Sequence, residues 1–230
     1  MSRRLLLSLA ACAALVSGAA QAASPPERIR GTVTSVTDQV LTVRTDSGSD
    51  VPITLTGTTG FGEVTASSLD QIKPDSFIGT ATKSVGNMLV ALEVVVFPNS
   101  MRGTGEGHYP WDQIRDTTLS GDATTASAMT NGTVKTAAAA PGPATVGTSM
   151  TNGTVSSTGQ ASGAQQITVT YKDGQQTIIV PPTAPIVTVA PGKRSDVQPG
   201  AKVFVVATRN GDQLTALRIN VGMNGLRPPM

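Results

Sequence analysis

Cysteine, histidine and tryptophan each occur once in this chain of 230 residues, and aromatic residues make up only 3% of it. One cysteine excludes a disulfide framework and a cysteine-based zinc site. One histidine excludes any centre built on two or three imidazoles. Charged residues amount to 14% and the formal net charge is +2. That is too small for a protein that holds nucleic acid or a membrane surface through a basic field. Long apolar runs are lacking as well: beyond the first 22 residues none reaches the ~18 that a spanning helix requires. What the chain does have is 32 threonines, 24 glycines and 39% hydrophobic residues, a content that argues against wholesale disorder.

The first 22 residues read as a secretory leader. Arg3 and Arg4 form a positive start, Leu5 to Val16 an apolar run, and Ala20-Gln21-Ala22 a small-residue cleavage site. A lipobox reading of Leu9-Ala10-Ala11-Cys12, with Cys12 lipidated, competes with it. Cleavage there would shorten the apolar run and leave Ala13 to Val16 where a polar tether belongs, so soluble export is preferred. Cleavage near Ala22 removes two arginines and the single cysteine. The remainder has 15 basic against 15 acidic residues and no disulfide, so it must be held by apolar cores.

The remainder repeats itself. Arg30-Gly31-Thr32-Val33 matches Asn152-Gly153-Thr154-Val155, and Leu41-Thr42-Val43 matches Ile167-Thr168-Val169. Lys73-Pro74-Asp75 matches Gln198-Pro199-Gly200, and Ala91-Leu92-Glu93-Val94-Val95-Val96 matches Ala216-Leu217-Arg218-Ile219-Asn220-Val221. Order is kept at offsets of 122 to 126. Each copy reads as five short strands, with alternating β-branched residues at 31–36 and 40–45 and glycine turns at Ser47-Gly48, Gly86-Asn87 and Gly211-Asp212. One helical turn with a serine cap is expected at Ser68 to Ile72, between the third and fourth strands. The pattern predicts an all-β protein of two tandem OB-like five-stranded barrels joined by a Gly/Ala/Thr-rich linker. The expected boundaries are a leader at 1–22, a first barrel at 23–99, a loop and linker at 100–149, and a second barrel with its tail at 150–230. A sandwich assembled from both copies is the alternative.

Residues 100 to 150 match neither copy. Met101 to Asp116 holds the only His and the only Trp, and Thr117 to Met150 reads as flexible linker. Within the linker, Met129-Thr130-Asn131-Gly132-Thr133-Val134 recurs as Met150-Thr151-Asn152-Gly153-Thr154-Val155. The later copy lies nearer its hairpin partner at Ile167 and is taken as the first strand of the second barrel. The earlier copy is then a spare strand.

Candidate binding residues are Glu106, His108, Tyr109, Trp111 and Asp112. A metal reading gathers His108, Glu106, Asp112 and Met101, with Met129 or Met150 as further thioethers, a set suited to copper. The plainer reading, which we prefer, has Tyr109 and Trp111 covering a barrel end or the gap between barrels, with His108 and Asp112 hydrogen-bonded to fix the loop. Gly103, Gly105 and Gly107 are spaced G-x-G-x-G, and Pro110 interrupts any helix that could hold a phosphate. No serine sits in a G-x-S-x-G elbow. Nucleic-acid binding is not expected, since strand aromatics are few and no basic groove is legible.

The order G-T-V, L-T-V, apolar-x-Pro, A-L-x-V-x-V in both copies resembles an OB-like repeat of exported bacterial proteins, a domain of unknown function. The stretch Met101 to Asp112, Met150-Thr151-Asn152, Val180-Pro181-Pro182 and Pro228-Pro229-Met230 are similar to signatures of uncharacterised two-domain proteobacterial relatives. The resemblance implies the fold and an envelope location, and no activity or site residues. Some such relatives are labelled metal-transporter permeases, which a chain without a span beyond its leader contradicts. The expected role is a non-enzymatic periplasmic binding or scaffold protein acting through protein–protein contact, without cofactor. The alternative is a periplasmic metal-binding protein, and an envelope hydrolase is a third, weaker one.

Overall fold

The computed structural model describes residues 25–139 and 163–229. Residues 1–22, read from sequence as a leader, and the copy at 149–155 lie outside the described residues. The protein is all-β, with strands β1 (Glu27–Val36), β2 (Val40–Thr45), β3 (Asp50–Thr54), β4 (Gly60–Ala66), β5 (Phe77–Val85), β6 (Met88–Phe97), β7 (Gly107–Arg115), β8 (Thr124–Ala139), β9 (Gln165–Tyr171), β10 (Gly174–Val180), β11 (Ile186–Pro191), β12 (Lys202–Asn210) and β13 (Gln213–Gly222). The expected helical turn is a 3₁₀ turn at Leu69–Gln71, repeated at Arg194–Asp196. Ser68 stands at the cap position, but its hydroxyl makes no capping bond.

Strands β5, β6, β10, β9 and β8 close a five-stranded barrel, with β6 and β10 in parallel register at Leu89–Ile178. Strands β1, β2, β3, β13 and β12 curl in the same order, and β13 meets β3 in parallel at Thr215–Thr54. We call these the second and first rings. Each draws on both sequence copies. The first ring takes strands one to three from the first copy and strands four and five from the second; the second ring does the reverse. The strand pairings therefore divide the chain differently from the expected boundaries at 23–99 and 150–230.

The cause lies in the connections. After β3 the chain enters β4, which runs parallel to β13 and antiparallel to β11; β11 in turn runs parallel to β6. This β4–β11 ribbon carries each copy across to the other ring. The sequence pattern gives no hint of the exchange, because the two copies present the same strand faces and either last hairpin fits either set of first strands.

The repeat is kept down to its irregularities. Strand one carries a bulge between Val33 and Ser35 in β1 and between Val134 and Thr136 in β8. Strand five has its extra residue at Leu92 in β6 and at Leu217 in β13. The glycine of G-T-V has a plain reason. A Cβ on Gly31 would lie 2.1 Å from the Arg44 carbonyl oxygen, and one on Gly132 2.3 Å from that of Thr170. Only glycine permits strand one to cross strand two that closely.

The strand equivalent to β1 is thus β8, so the earlier Met-Thr-Asn-Gly-Thr-Val copy fills the slot assigned to the later one. The stretch Thr124–Ala139, read as flexible linker, is a sixteen-residue strand. Loop length misled that reading: closing a longer loop costs only about 0.6 kcal/mol per doubling. The β7–β8 ladder, running from Gly107–Asn131 to Arg115–Thr124, fixes the earlier copy instead.

Three apolar clusters hold the fold. Ile29, Val33, Leu41, Val43, Ile53, Val205 and Ile219 fill the first ring. Ile78, Val94, Val134, Ile167, Val169 and Ile178 fill the second. The third lies outside the second ring, where Ala81, Leu92, Val95 and Met129 pack with Val64, Val187, Val189 and Ile114, and Tyr109 and Trp111 lie against them. Strand β6 is therefore covered on both faces, which accounts for its nearly unbroken apolar run. Among the described residues no helix is long and apolar enough to cross a membrane.

Candidate functional site

The unrepeated motif begins with a turn. Gly103, Gly105 and Gly107 take φ of 81°, 62° and 144°, left-handed values that swing the chain from a 3₁₀ turn at Asn99–Met101 into β7. A strand follows the glycines, so they form no helix-capped phosphate loop. Asn131 on β8 holds the turn: its Nδ2 donates to the Gly105 carbonyl at 2.9 Å and to the Tyr109 hydroxyl oxygen at 3.0 Å. The Tyr109 hydroxyl donates in turn to the Gly105 carbonyl at 3.3 Å. Burial pushes the Tyr109 hydroxyl pKa up, and Arg28 and Asn131 oppose this only in part.

Tyr109 and Trp111 alternate on one face of β7 and meet edge to face, with ring centroids 6.0 Å apart. The Arg28 guanidinium lies 3.6 Å over the Trp111 ring. Beside it Asp112 accepts from two arginines, with Oδ1 2.8 Å from Arg28 Nη1 and Oδ2 2.9 Å from Arg30 Nη1. Arg30 also covers the Phe204 ring at 4.8 Å. Arg28 and Arg30 belong to β1 and Asp112 to β7, so this cluster joins the first ring to the strand that flanks the second. Cation–π contact and a shared carboxylate make it a seam. Two polar atoms in it meet no partner, the Trp111 indole Nε1 and Arg30 Nη2, both buried.

His108 is exposed and pairs through Nδ1 with the buried Thr130 hydroxyl at 2.8 Å. It stands at the rim of an open cleft of about 330 Å³ between β5, β7 and β8. Glu106 is exposed at the turn, and Met101 ends the preceding 3₁₀ turn. Tyr109, Trp111 and Asp112 are thus brought together, while His108 and Glu106 stand apart from them. Among the described residues no group of three His, Cys, Asp or Glu is close enough to share a metal ion, so Glu106, His108 and Asp112 do not converge. Both Asp112 oxygens are engaged by guanidinium groups. Trp111 lies between Arg28 of the first ring and the apolar cluster outside the second, and His108 and Asp112 are both hydrogen-bonded.

A second polar centre went unforeseen. Lys83 Nζ donates to Asp116 Oδ2 and Thr118 Oγ1, each at 2.6 Å, where β7 ends. Thr118 returns its N–H and hydroxyl to Asp116 Oδ1 at 3.0 and 2.6 Å. Burial pushes the Asp116 carboxyl up, but the hydrogen bonds from Lys83 and Thr118 outweigh it and hold the group below its usual range.

Sequence reasoning also missed Arg28 and Arg30. Their i, i+2 spacing on strand one places both on one face. That signal becomes visible once β1 is aligned with β8, where Met129 and Asn131 occupy the same positions. No family model, curated protein or solved structure matches this chain.

Proposed function

We propose that this is an exported binding or scaffold protein of the bacterial envelope, built from two OB-like rings and acting without catalysis. The order one-two-three-five-four with a parallel three–five contact supports the OB-like reading of both rings. The leader features of residues 1–22 support export. One observation carries the binding role. Leu92 and Leu217 are the same bulge residue in the two copies, yet Leu92 is fully buried beneath the β7 cluster and Leu217 is 46% exposed. The two rings share a framework, but among the described residues β7 covers Leu92 and leaves Leu217 exposed, although its Trp111 and Asp112 reach Arg28 and Arg30 nearby. We read an apolar position that is exposed where its repeat equivalent is buried, with Arg28 and Arg218 on the same face, as part of a contact surface.

The test is site-specific photocrosslinking in cells. A photoreactive residue at Leu217 is expected to yield a discrete protein adduct, and one at the exposed Asn87 turn none. Equal behaviour at both positions contradicts the binding reading. Processing after Ala22, read by intact mass of the envelope fraction, tests export.

A further inference from the structure

We infer that the outer face of the first ring receives an extended, acidic protein segment, in the position that β7 occupies on the second ring. This deepens the proposed binding role and rests on it.

The internal repeat supplies the template. On the second ring, β8 has β5 along one edge of Ala128–Asn131 and β7 along the other. On the first ring, the equivalent stretch Glu27–Arg30 pairs with β12 on one side, and β2 begins only at Gly31. Among the described residues no strand pairs the other side of Glu27–Arg30, which leaves backbone groups open to an added strand.

The side chains then define what could lie there. Under β7 the second ring presents Met129, Ala81 and Leu92, a surface for Tyr109, Trp111 and Ile114. The matching positions on the first ring are Arg28, Val206 and Leu217, followed by Arg218. Registers Arg28–Val206 and Val206–Arg218 set these side by side across three strands, and Arg30–Phe204 and Thr32–Lys202 extend the face. Met129 is replaced by Arg28 and Glu93 by Arg218, while Ala81 and Leu92 stay apolar as Val206 and Leu217. Asp112 is the one carboxylate ion-paired to any of these four cations among the described residues. Arg218 donates to Asn220 Oδ1 at 3.0 Å and Lys202 to Thr32 Oγ1 at 2.7 Å, both neutral acceptors. Four cations against one carboxylate leave a net positive face on a chain whose charge beyond the leader is zero. Asp112, with Trp111 beside it, already shows what this face accepts: a carboxylate borne on a strand, with an aromatic neighbour stacked on Arg28. Open backbone and exposed Leu217 favour a peptide over a polyanionic glycan, which offers neither a strand edge nor an apolar side chain.

Fluorescence anisotropy tests the inference with a labelled 12-residue peptide carrying Glu at alternate positions and one Trp-Asp pair. The protein should bind it with an affinity that falls as salt rises. Arg218→Glu and Leu217→Ser should each weaken binding by about 5-fold or more, and Gln-for-Glu peptide should not bind. Thermal denaturation should show both variants folded, and Arg218→Gln is the milder substitute if the reversal unfolds. No binding of the Glu peptide, or binding by both variants as tight as by the unaltered protein, overturns the inference. So does tight binding of dextran sulfate without the peptide, which assigns the face to polyanions. A Leu217 crosslink that persists unchanged in Arg218→Glu while the peptide fails overturns the acidic partner and leaves the binding role standing.

Discussion

Gly132 offers a sharp check on which of the two identical hexapeptides forms strand one. A methyl group there would lie 2.3 Å from the Thr170 carbonyl oxygen and 3.0 Å from a Val169 methyl, both in an adjacent strand of a closed barrel. Neither can retreat without moving the β8–β9 ladder, so Gly132→Ala forces overpacking. Such insertions cost about 1–3 kcal/mol. For a domain of this size each kcal/mol lowers Tm by about 2–4 °C, so the expected loss is roughly 2–12 °C. Gly153 occupies the same place in the later hexapeptide, and Gly153→Ala should leave Tm within about 1 °C. Differential scanning calorimetry of the two variants decides it. A large loss for Gly153→Ala with none for Gly132→Ala would refute the assignment of β8.

Further expectations follow from the seam and the polar centre. Trp111→Ala should destabilise by roughly 2–3 kcal/mol, whereas Trp111→Phe should cost much less, because it also removes an indole N–H that meets no acceptor; urea denaturation compares them. Leu92→Ala should cost about 2–5 kcal/mol and Leu217→Ala close to nothing, despite their equivalent positions. Asp116 has a folded pKa below its unfolded value. Its contribution is therefore present above the unfolded pKa of about 3.9 and is lost as pH falls through the folded value. Asp116→Asn should destabilise by about 3 kcal/mol at pH 7 and flatten the loss of stability below pH 4 in acid titrations.

Much of the local structure was legible from residue order. Alternating Val and Thr marked β1 and β2, and the Gly-Asn and Gly-Asp turns marked the β5–β6 and β12–β13 hairpins. The Pro-x turns fall at Asp75 and Gly200, both at positive φ. Those features are set by a few neighbouring residues. The partnership of strands is not local: β1 meets β12 across some 170 residues, and two alike copies offer the same faces to one another. The ribbon of β4 and β11 escaped notice because each falls between the third and fourth strands of its copy, where the pattern was read as connection. At the site, Tyr109 and Trp111 could be picked out as rare residues. What they touch could not, since Arg28 and Arg30 lie about 80 residues away. The metal set was likewise singled out by rarity, and what the fold adds is that Asp112 already faces two cations.

The strand exchange fixes both the seam and the uncovered face, and it can be measured directly. Beyond residue 22 the chain has no cysteine, so Thr32→Cys with Lys202→Cys creates a lone pair at facing positions of β1 and β12. Under mild oxidation this variant should form a disulfide within a monomer, seen as a mobility shift on non-reducing gels of dilute protein. Absence of that bond, or its formation only between chains, would contradict the exchange of strands between the two halves.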